Sequence, residues 1–284
     1  MPQRARECAF PAGRLEVSEH VTARAIRMVG VSGIMLLWQQ AARVTPCMFA
    51  AAVLVILAMA IGAAGLESAV QRRHTFTTQY LASEGRLFRL LRPGAFMILW
   101  QGTKALVLAT ILVLNALVLE VWEWVLLFGD ALLMAVLFIR ITRSLSGEVR
   151  ALYVAPLARR AAVWVNATFV WVVWVLGLFN TPQSNFSAMR WEEVVMLAAG
   201  QVDLGCQAIA LLARVAAVGE SLALWAAQNL FADISDVQAM LAAWLVFLAA
   251  FGASFLFAWA YSLALAGVIS APWQVWRWRE VPSE

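Results

Sequence analysis

Long apolar runs separated by short polar segments set the pattern of this 284-residue chain. The clearest run, 46–66, is about the length that a helix needs to cross the hydrocarbon core of a bilayer. Similar runs predict further crossings at 95–120, 121–141, 161–179 and 238–269. The hydrophobic content of 63% and the charged content of 13% agree with an integral membrane protein rather than a soluble domain.

The first apolar run, 28–44, is weaker because Gln39 and Gln40 interrupt it. If 46–66 crossed alone, one of its two basic flanks would face the wrong side of the membrane. A short crossing at 28–44 removes that conflict and leaves only Arg43 outside; the alternative is an interfacial amphipathic helix. We therefore predict an all-α, polytopic helical bundle of about six transmembrane helices.

The charges predict which segments face the cytoplasm, since positively charged connections stay inside. Basic residues cluster before residue 28, in 67–104, in 140–160 and in the tail. The connections 120–123, 180–193 and 229–238 carry one arginine between them. Both termini are thus expected in the cytoplasm. The preference for Arg over Lys, with abundant Ala and Val, indicates a GC-rich bacterial genome and hence a bacterial inner membrane.

The segment 194–228 is expected not to cross, because both of its flanks lack a positive-inside signal. It should lie on the outer face as one long helix with a narrow polar stripe. The stripe consists of Asp203, Gln207, Arg214, Ser221 and Gln228. Its functional interpretation is a polar vestibule or a contact with another subunit; the alternative is an interfacial helix whose stripe faces water.

The resulting organisation has seven parts. They are a basic cytoplasmic N-terminus (1–27), an N-terminal transmembrane hairpin (28–66), a cytoplasmic amphipathic loop (67–93), a three-helix core (94–179), a periplasmic loop with its helix (180–237), a transmembrane helix (238–270) and a cytoplasmic tail (271–284). In the loop 67–93, the spacing of Leu81, Glu84, Phe88 and Leu91 predicts a helix on the cytoplasmic membrane surface.

Asp130 is the candidate for an intramembrane polar site, because it lies near the middle of the crossing 121–141. An Asp at that depth costs about 2.5–3.5 kcal/mol on insertion scales and needs compensation. If 95–120 and 121–141 form a hairpin, Thr110 lies at a similar depth and Asn115 nearer the turn. A hydrogen bond to Thr110 or a protonated carboxyl would suffice; the alternative hypothesis is that Asp130 binds a proton or cation in transit.

The last helix carries a ridge of small residues that lets another helix approach closely. The ridge comprises Ala250, Ser254, Ala258, Ser262 and Ala266. Aromatic residues occupy another face of the same helix, at Trp244, Phe247, Phe251 and Phe255. The ridge is interpreted as a contact within the chain or with a partner subunit, and the aromatic face as packing.

The sequence indicates no catalytic, cofactor-binding or metal-binding site. Nucleotide-binding loops, metalloprotease helices and serine-hydrolase elbows are missing from it. Cys8, Cys47 and Cys206 share no spacing that suggests zinc or a redox pair. The net charge of +4 is distributed as positive-inside sorting requires, so it does not indicate nucleic-acid binding.

These features favour a non-catalytic membrane subunit or scaffold of a larger inner-membrane complex. Its expected partners are membrane lipids and other membrane-protein subunits. The alternative function is an ion or small-solute transporter or pore that uses Asp130 and the polar stripe. An enzyme is not expected.

Overall fold

The computed structural model describes residues 14–80, 95–149, 151–178, 184–187, 189–230 and 237–270, and these residues form eight helices and no strand. The helices are α1 (Arg14–Ala41), α2 (Cys47–Tyr80), α3 (Ala95–Ala116), α4 (Val121–Leu145), α5 (Ala151–Leu178), α6 (Trp191–Gly200), α7 (Gln207–Leu230) and α8 (Val237–Val268). The all-α class is thereby confirmed.

Within that part of the chain, six helices are long and apolar enough to cross a membrane. They are Cys47–Arg72, Phe96–Ala116, Val121–Leu145, Tyr153–Gly177, Gln207–Asn229 and Phe251–Val268. The prediction of a multi-pass helical bundle is confirmed. These criteria of length and apolarity include α7 and exclude α1. The positions of the two helices are therefore taken from their contacts within the bundle.

The bundle has two ends with different chemistry. One end, called the disulfide end, contains the α1–α2 turn, where a disulfide joins Cys47 to Cys206, and the α3–α4 turn. The opposite end, called the arginine end, contains Arg24 and Arg159, whose guanidinium groups both lie over the Phe138 ring. Arg159 also forms a salt bridge with Glu67 of α2 there.

Helix α1 runs the full depth of the bundle beside α4, in the opposite direction. Arg24 packs on Phe138 at the arginine end, whereas the Gln39 side chain accepts a hydrogen bond of 2.8 Å from Trp124 Nε1 at the disulfide end. These α1 residues are about 22 Å apart along the helix axis. Met28, Met35 and Trp38 of α1 are buried against other helices. Since little of α1 needs to face lipid, it can extend through the bundle although its hydropathy is lower than that of a lipid-facing helix.

Helix α7 begins and ends at the disulfide end of the bundle, so it lies across this end. Its start is fixed by the Cys47–Cys206 disulfide and by the Gly205 amide, which donates to the Ala42 carbonyl oxygen. Near its other end, Gln228 donates to the carbonyl oxygen of Ser184, in the segment that follows α5. The Trp122–Trp174 ring contact places the end of α5 beside the start of α4, hence also at the disulfide end.

The predicted single helix over 194–228 is corrected to a hairpin of α6 and α7 with a break at 201–206. Trp225 near the end of α7 donates to the Met189 carbonyl oxygen just before α6, so the two helices are antiparallel. The break brings backbones close together: a Cβ at Gly205 would lie 2.6 Å from the carbonyl oxygen of Thr45. Glycine allows this approach because it carries no side chain.

Two predicted helix bounds also change. The crossing predicted at 161–179 belongs to α5, which already begins at Ala151 with Pro156 in its second turn. Helix α2 continues past its apolar part to Tyr80, into the segment predicted as a separate cytoplasmic loop. Leu81, Glu84, Phe88 and Leu91, which predicted an amphipathic helix, lie outside the described residues.

Candidate functional site

Asp130 lies inside the bundle, where it is 2% exposed and hydrogen-bonded to a neighbouring helix. Its Oδ2 accepts a hydrogen bond of 2.9 Å from Asn166 Nδ2 of α5. Asn166 is also buried, with 1% exposure, and its Nδ2 contacts Ser262 Oγ of α8 at 3.1 Å. Three helices therefore meet at one polar cluster, Asp130–Asn166–Ser262, which we call the Asp130 cluster.

A second chain of hydrogen bonds lies beside this cluster. The Tyr261 hydroxyl of α8 donates to the Leu127 carbonyl oxygen of α4 at 2.6 Å. Ser32 Oγ of α1 lies 2.8 Å from the same hydroxyl. Because Tyr261 has used its proton on Leu127, Ser32 must donate to Tyr261. These contacts connect α1 and α8 to the backbone of α4 one turn before Asp130.

The partner of Asp130 is Asn166 and not Thr110, as the hairpin model had suggested. Thr110 Oγ1 donates to the Leu106 carbonyl oxygen and Asn115 Nδ2 to the Ile111 carbonyl oxygen, both within α3. Helix α4 packs against α1 and α5, and its buried face turns Asp130 toward α5. Sequence adjacency of α3 and α4 was therefore a poor guide to which helix faces the carboxylate.

The Asp130 cluster is incompletely hydrogen-bonded. Asp130 Oδ1 and Asn166 Oδ1 are both buried acceptors without a hydrogen-bond partner. Buried polar groups are nearly always paired, and a carboxyl group at membrane depth costs about 2.5–3.5 kcal/mol on insertion scales. Since Asp130 forms no ion pair in the part of the chain that the structure describes, a proton, a cation or water must supply the missing interaction.

The polar stripe is divided among several environments. Gln228 bonds the segment 184–186 through both its oxygen and its nitrogen, and Ser221 is half-buried. Gln207 and Arg214 are exposed, and Arg214 Nη2 lies 3.5 Å from the Val202 carbonyl oxygen. Asp203 precedes α7 in the 201–206 break, so it is not part of the helical stripe.

A cavity of about 1530 Å³ opens between α7 and the disulfide end. Its polar lining comes from Gln39, Gln40, Arg43, Asn115, Glu120, Gln201, Asp203 and Glu220. Its apolar walls include Leu36 and Phe128, and Phe128 is two residues from Asp130 on α4. Asp203 and Asn115, both singled out from the sequence, thus line this vestibule and lie outside the Asp130 cluster. The other four residues of the stripe do not line the vestibule.

The Cys47–Cys206 disulfide is the feature that the sequence analysis missed. The two cysteines are 159 residues apart, with a Cα–Cα distance of 4.7 Å. Short spacings such as CxxC identify local redox or zinc motifs but carry no information about a pair brought together by the fold. The signal available was topological, since Cys47 and Cys206 both fall in segments predicted at the outer face.

From Ala258 onward, the ridge of small residues is a contact within the chain. Ala258, Ser262 and Ala266 are buried, and Gly267 packs directly against the backbone of Ala60 in α2. On the aromatic face, Phe251 and Phe255 contact Trp171 of α5 at ring-centroid distances of 6.2 and 5.9 Å. Ser254 is half-buried, whereas the side chains of Trp244, Phe247 and Ala250 lie outside the described residues.

Comparison with known proteins gives no relative: no family model matches the chain, and no curated protein or solved structure matches it.

Proposed function

We propose that this chain is a non-catalytic integral membrane subunit of a larger assembly in a bacterial inner membrane. In this proposal the disulfide end faces the periplasm, both termini are cytoplasmic, and the exposed face of α7 binds another membrane-protein subunit. The observation that carries the proposal is an apolar helix held across one end of the bundle with little of its surface covered.

Two independent properties support the orientation. Disulfides persist in oxidising compartments such as the periplasm and are rare in the cytoplasm. Cytoplasmic connections of membrane proteins are enriched in Arg and Lys. The disulfide and the arginine-rich connections occupy opposite ends of the bundle; the arginine end carries Arg24, Arg27, Arg72, Arg140, Arg143, Arg159 and Arg160.

The exposed surface of the α6–α7 hairpin is strongly apolar. Met196 of α6 is 75% exposed, and Leu211 and Val215 of α7 are 64% and 65% exposed. Leu211, Leu212, Val215 and Gly219 recur with helical spacing on the side of α7 that faces away from Ala210 and Ala213. In the most apolar window of α7, only 11% is buried inside the chain.

A partner protein explains this surface better than water or an interfacial location does. Helices that rest on headgroups combine an apolar face with a strongly charged face. Arg214 and Glu220 are the only charged side chains of α7, and Glu220 lines the vestibule beneath it. A helix that is apolar on nearly all sides is normally buried, so the outer side of α7 requires a cover.

The partner surface differs from the one expected from sequence. The ridge residues Ala258, Ser262 and Ala266 of α8 are buried within the chain, so they are not available to a neighbouring subunit. Helix α7 replaces it as the candidate interface. Because α7 is tethered by the disulfide and by Gln228, its outer face is presented in one fixed position.

Native membranes solubilised in mild detergent, followed by affinity purification and mass spectrometry, test this proposal. A defined set of membrane proteins should co-purify with the wild-type chain and be lost with Leu211→Ser combined with Val215→Ser. Val44→Ser is the matched control, because Val44 is 84% exposed at the same end but lies outside α7. Recovery of the wild-type chain without stoichiometric partners, or equal recovery with the α7 variant, would reject the proposal.

A further inference from the structure

We infer that the Asp130 cluster is a proton-binding site buried inside the bundle. This inference concerns a ligand and a side chain that the partner-binding proposal does not use, so either can fail without the other.

The geometry first restricts what the site can hold. Two buried acceptors, Asp130 Oδ1 and Asn166 Oδ1, belong to side chains that already touch through Asp130 Oδ2 and Asn166 Nδ2. A proton converts one of these acceptors into a donor and removes the charge from the carboxyl group. Protonation therefore corrects both the excess of acceptors and the unpaired charge.

No charged or titratable neighbour among the described residues neutralises the Asp130 carboxylate. The side chains that face Asp130 are uncharged. They are Asn166 of α5, Tyr261 and Ser262 of α8 and, through Tyr261, Ser32 of α1.

The charged residues of the surrounding helices lie too far away to pair with Asp130. On α5 the nearest cation is Arg159, about 10 Å from Asn166 along the helix and paired with Glu67 of α2. On α1, Arg24 lies at the arginine end, and α4 itself places Glu123 toward the disulfide end and Arg140 toward the arginine end. Between Phe251 and Val268, α8 has no charged residue.

Apolar packing encloses the site toward both ends of the bundle. Leu127 toward the disulfide end and Met134 and Ala162 toward the arginine end are fully buried. Phe128, which lines the vestibule, is two residues from Asp130 and therefore projects from nearly the opposite side of α4. In such an apolar enclosure the uncharged, protonated carboxyl group is favoured over the ionised one.

Infrared difference spectroscopy on the full chain in oriented, right-side-out vesicles tests the inference. The wild type should show the C=O band of a protonated carboxyl group that decreases as the pH is raised. The band should be lost in Asp130→Asn and retained in Asp203→Asn, where the replaced carboxyl group is exposed at the disulfide end. If Asp130→Asn does not insert, Ser262→Ala provides the assignment, because it removes the second acceptor of Asn166 and should shift the band.

Each other outcome overturns the inference. A carboxyl band that is absent, or that persists unchanged at every pH, would contradict a proton-binding site. Exchange of sodium for choline serves as the cation test. If that exchange abolishes the pH response of the band, the cluster binds a metal cation instead of a proton alone.

Discussion

Arg159 shows that the place of a residue in a charge cluster does not reveal its contacts in the fold. Its position among the arginines of 140–160 predicted the cytoplasmic side, yet it is a partly shielded member of the bundle. Its guanidinium binds Glu67 of α2, with side-chain exposures of 12% and 10%, and covers the Phe138 ring of α4. The pair connects three helices at the arginine end.

Removal of this arginine should be costly. We expect Arg159→Ala to lower the free energy of unfolding by about 3–5 kcal/mol, because Glu67 is left as an unpaired buried charge. Arg160→Ala is the control, since Arg160 is exposed on the next position of the same helix. Unfolding by SDS titration in mixed micelles measures both; equal stability of the two variants would contradict the structural role of the pair.

The disulfide gives a second prediction at the same scale. Cys206→Ser should lower the free energy of unfolding by about 2 kcal/mol or more, since the cross-link closes a long loop in the unfolded chain. Thermal melts in detergent under non-reducing conditions provide the measurement. Cys8→Ser should leave the melting temperature unchanged, and so should a reductant added to the Cys206→Ser variant. A wild-type melting temperature that is insensitive to reductant would refute the cross-link.

In the Asp130 cluster, the sequence predicted the buried carboxyl group but not its hydrogen-bond partner. The position of Asp130 in an apolar run was enough to identify a buried carboxyl group, because charge and depth are properties of the sequence. Its partner was not predictable, because Asn166 belongs to α5 and its approach depends on the rotation of two helices. The Cys47–Cys206 pair was hidden for the same reason, with 159 residues between its members.

Helices α2 and α8 pack closely because small residues lie at their contact. Gly267 lies against the carbonyl group of Ala60, and the buried residues of the ridge continue this face of α8. A pattern of small residues predicted a close helix contact, because such residues let two backbones approach. Sequence could not say whether the contact was internal, since that depends on which helix is nearest.

A side chain at Gly267 tests this contact. We expect Gly267→Ala to destabilise the bundle by about 1–3 kcal/mol, because the added methyl group collides with the α2 backbone. Gly252→Ala on the same helix is the control, since a Cβ there meets no atom within 4 Å. If the two variants unfold at the same SDS concentration, the α2–α8 approach is not as close as the structure has it.

Helices α1 and α7 illustrate a limit of hydropathy. Helix α7 passes a length and composition test for a membrane crossing, yet both of its ends are fixed at the disulfide end. Helix α1 does not pass, yet it extends from Phe138 to Trp124 along α4. Charge distribution in the flanking segments predicts a crossing for α1 and an outer-face position for α7, because it reports on sides of the membrane and not on the apolarity of one helix.

At the scale of the whole molecule, the bundle is a membrane body with a covalently attached cap. The α6–α7 hairpin closes over the vestibule, its inner side faces the polar lining, and its outer side is apolar. In the proposed orientation, the cap and the vestibule are periplasmic and the arginine end is cytoplasmic. Partner binding at the outer side of α7 would then occur in the periplasm.

The most direct test of this account is whether the two flanks of α7 lie on the same side of the membrane. Single cysteines at Gln201 and Ser235, on either side of α7 in the sequence, are introduced in a Cys8→Ser background that keeps the Cys47–Cys206 disulfide. Ser146, exposed between α4 and α5 at the arginine end, provides the opposite-side control. A membrane-impermeant maleimide applied to intact cells should label positions 201 and 235 and reach position 146 only after permeabilisation. Labelling of 235 together with 146, and not with 201, would show that α7 crosses the membrane and contradict the account.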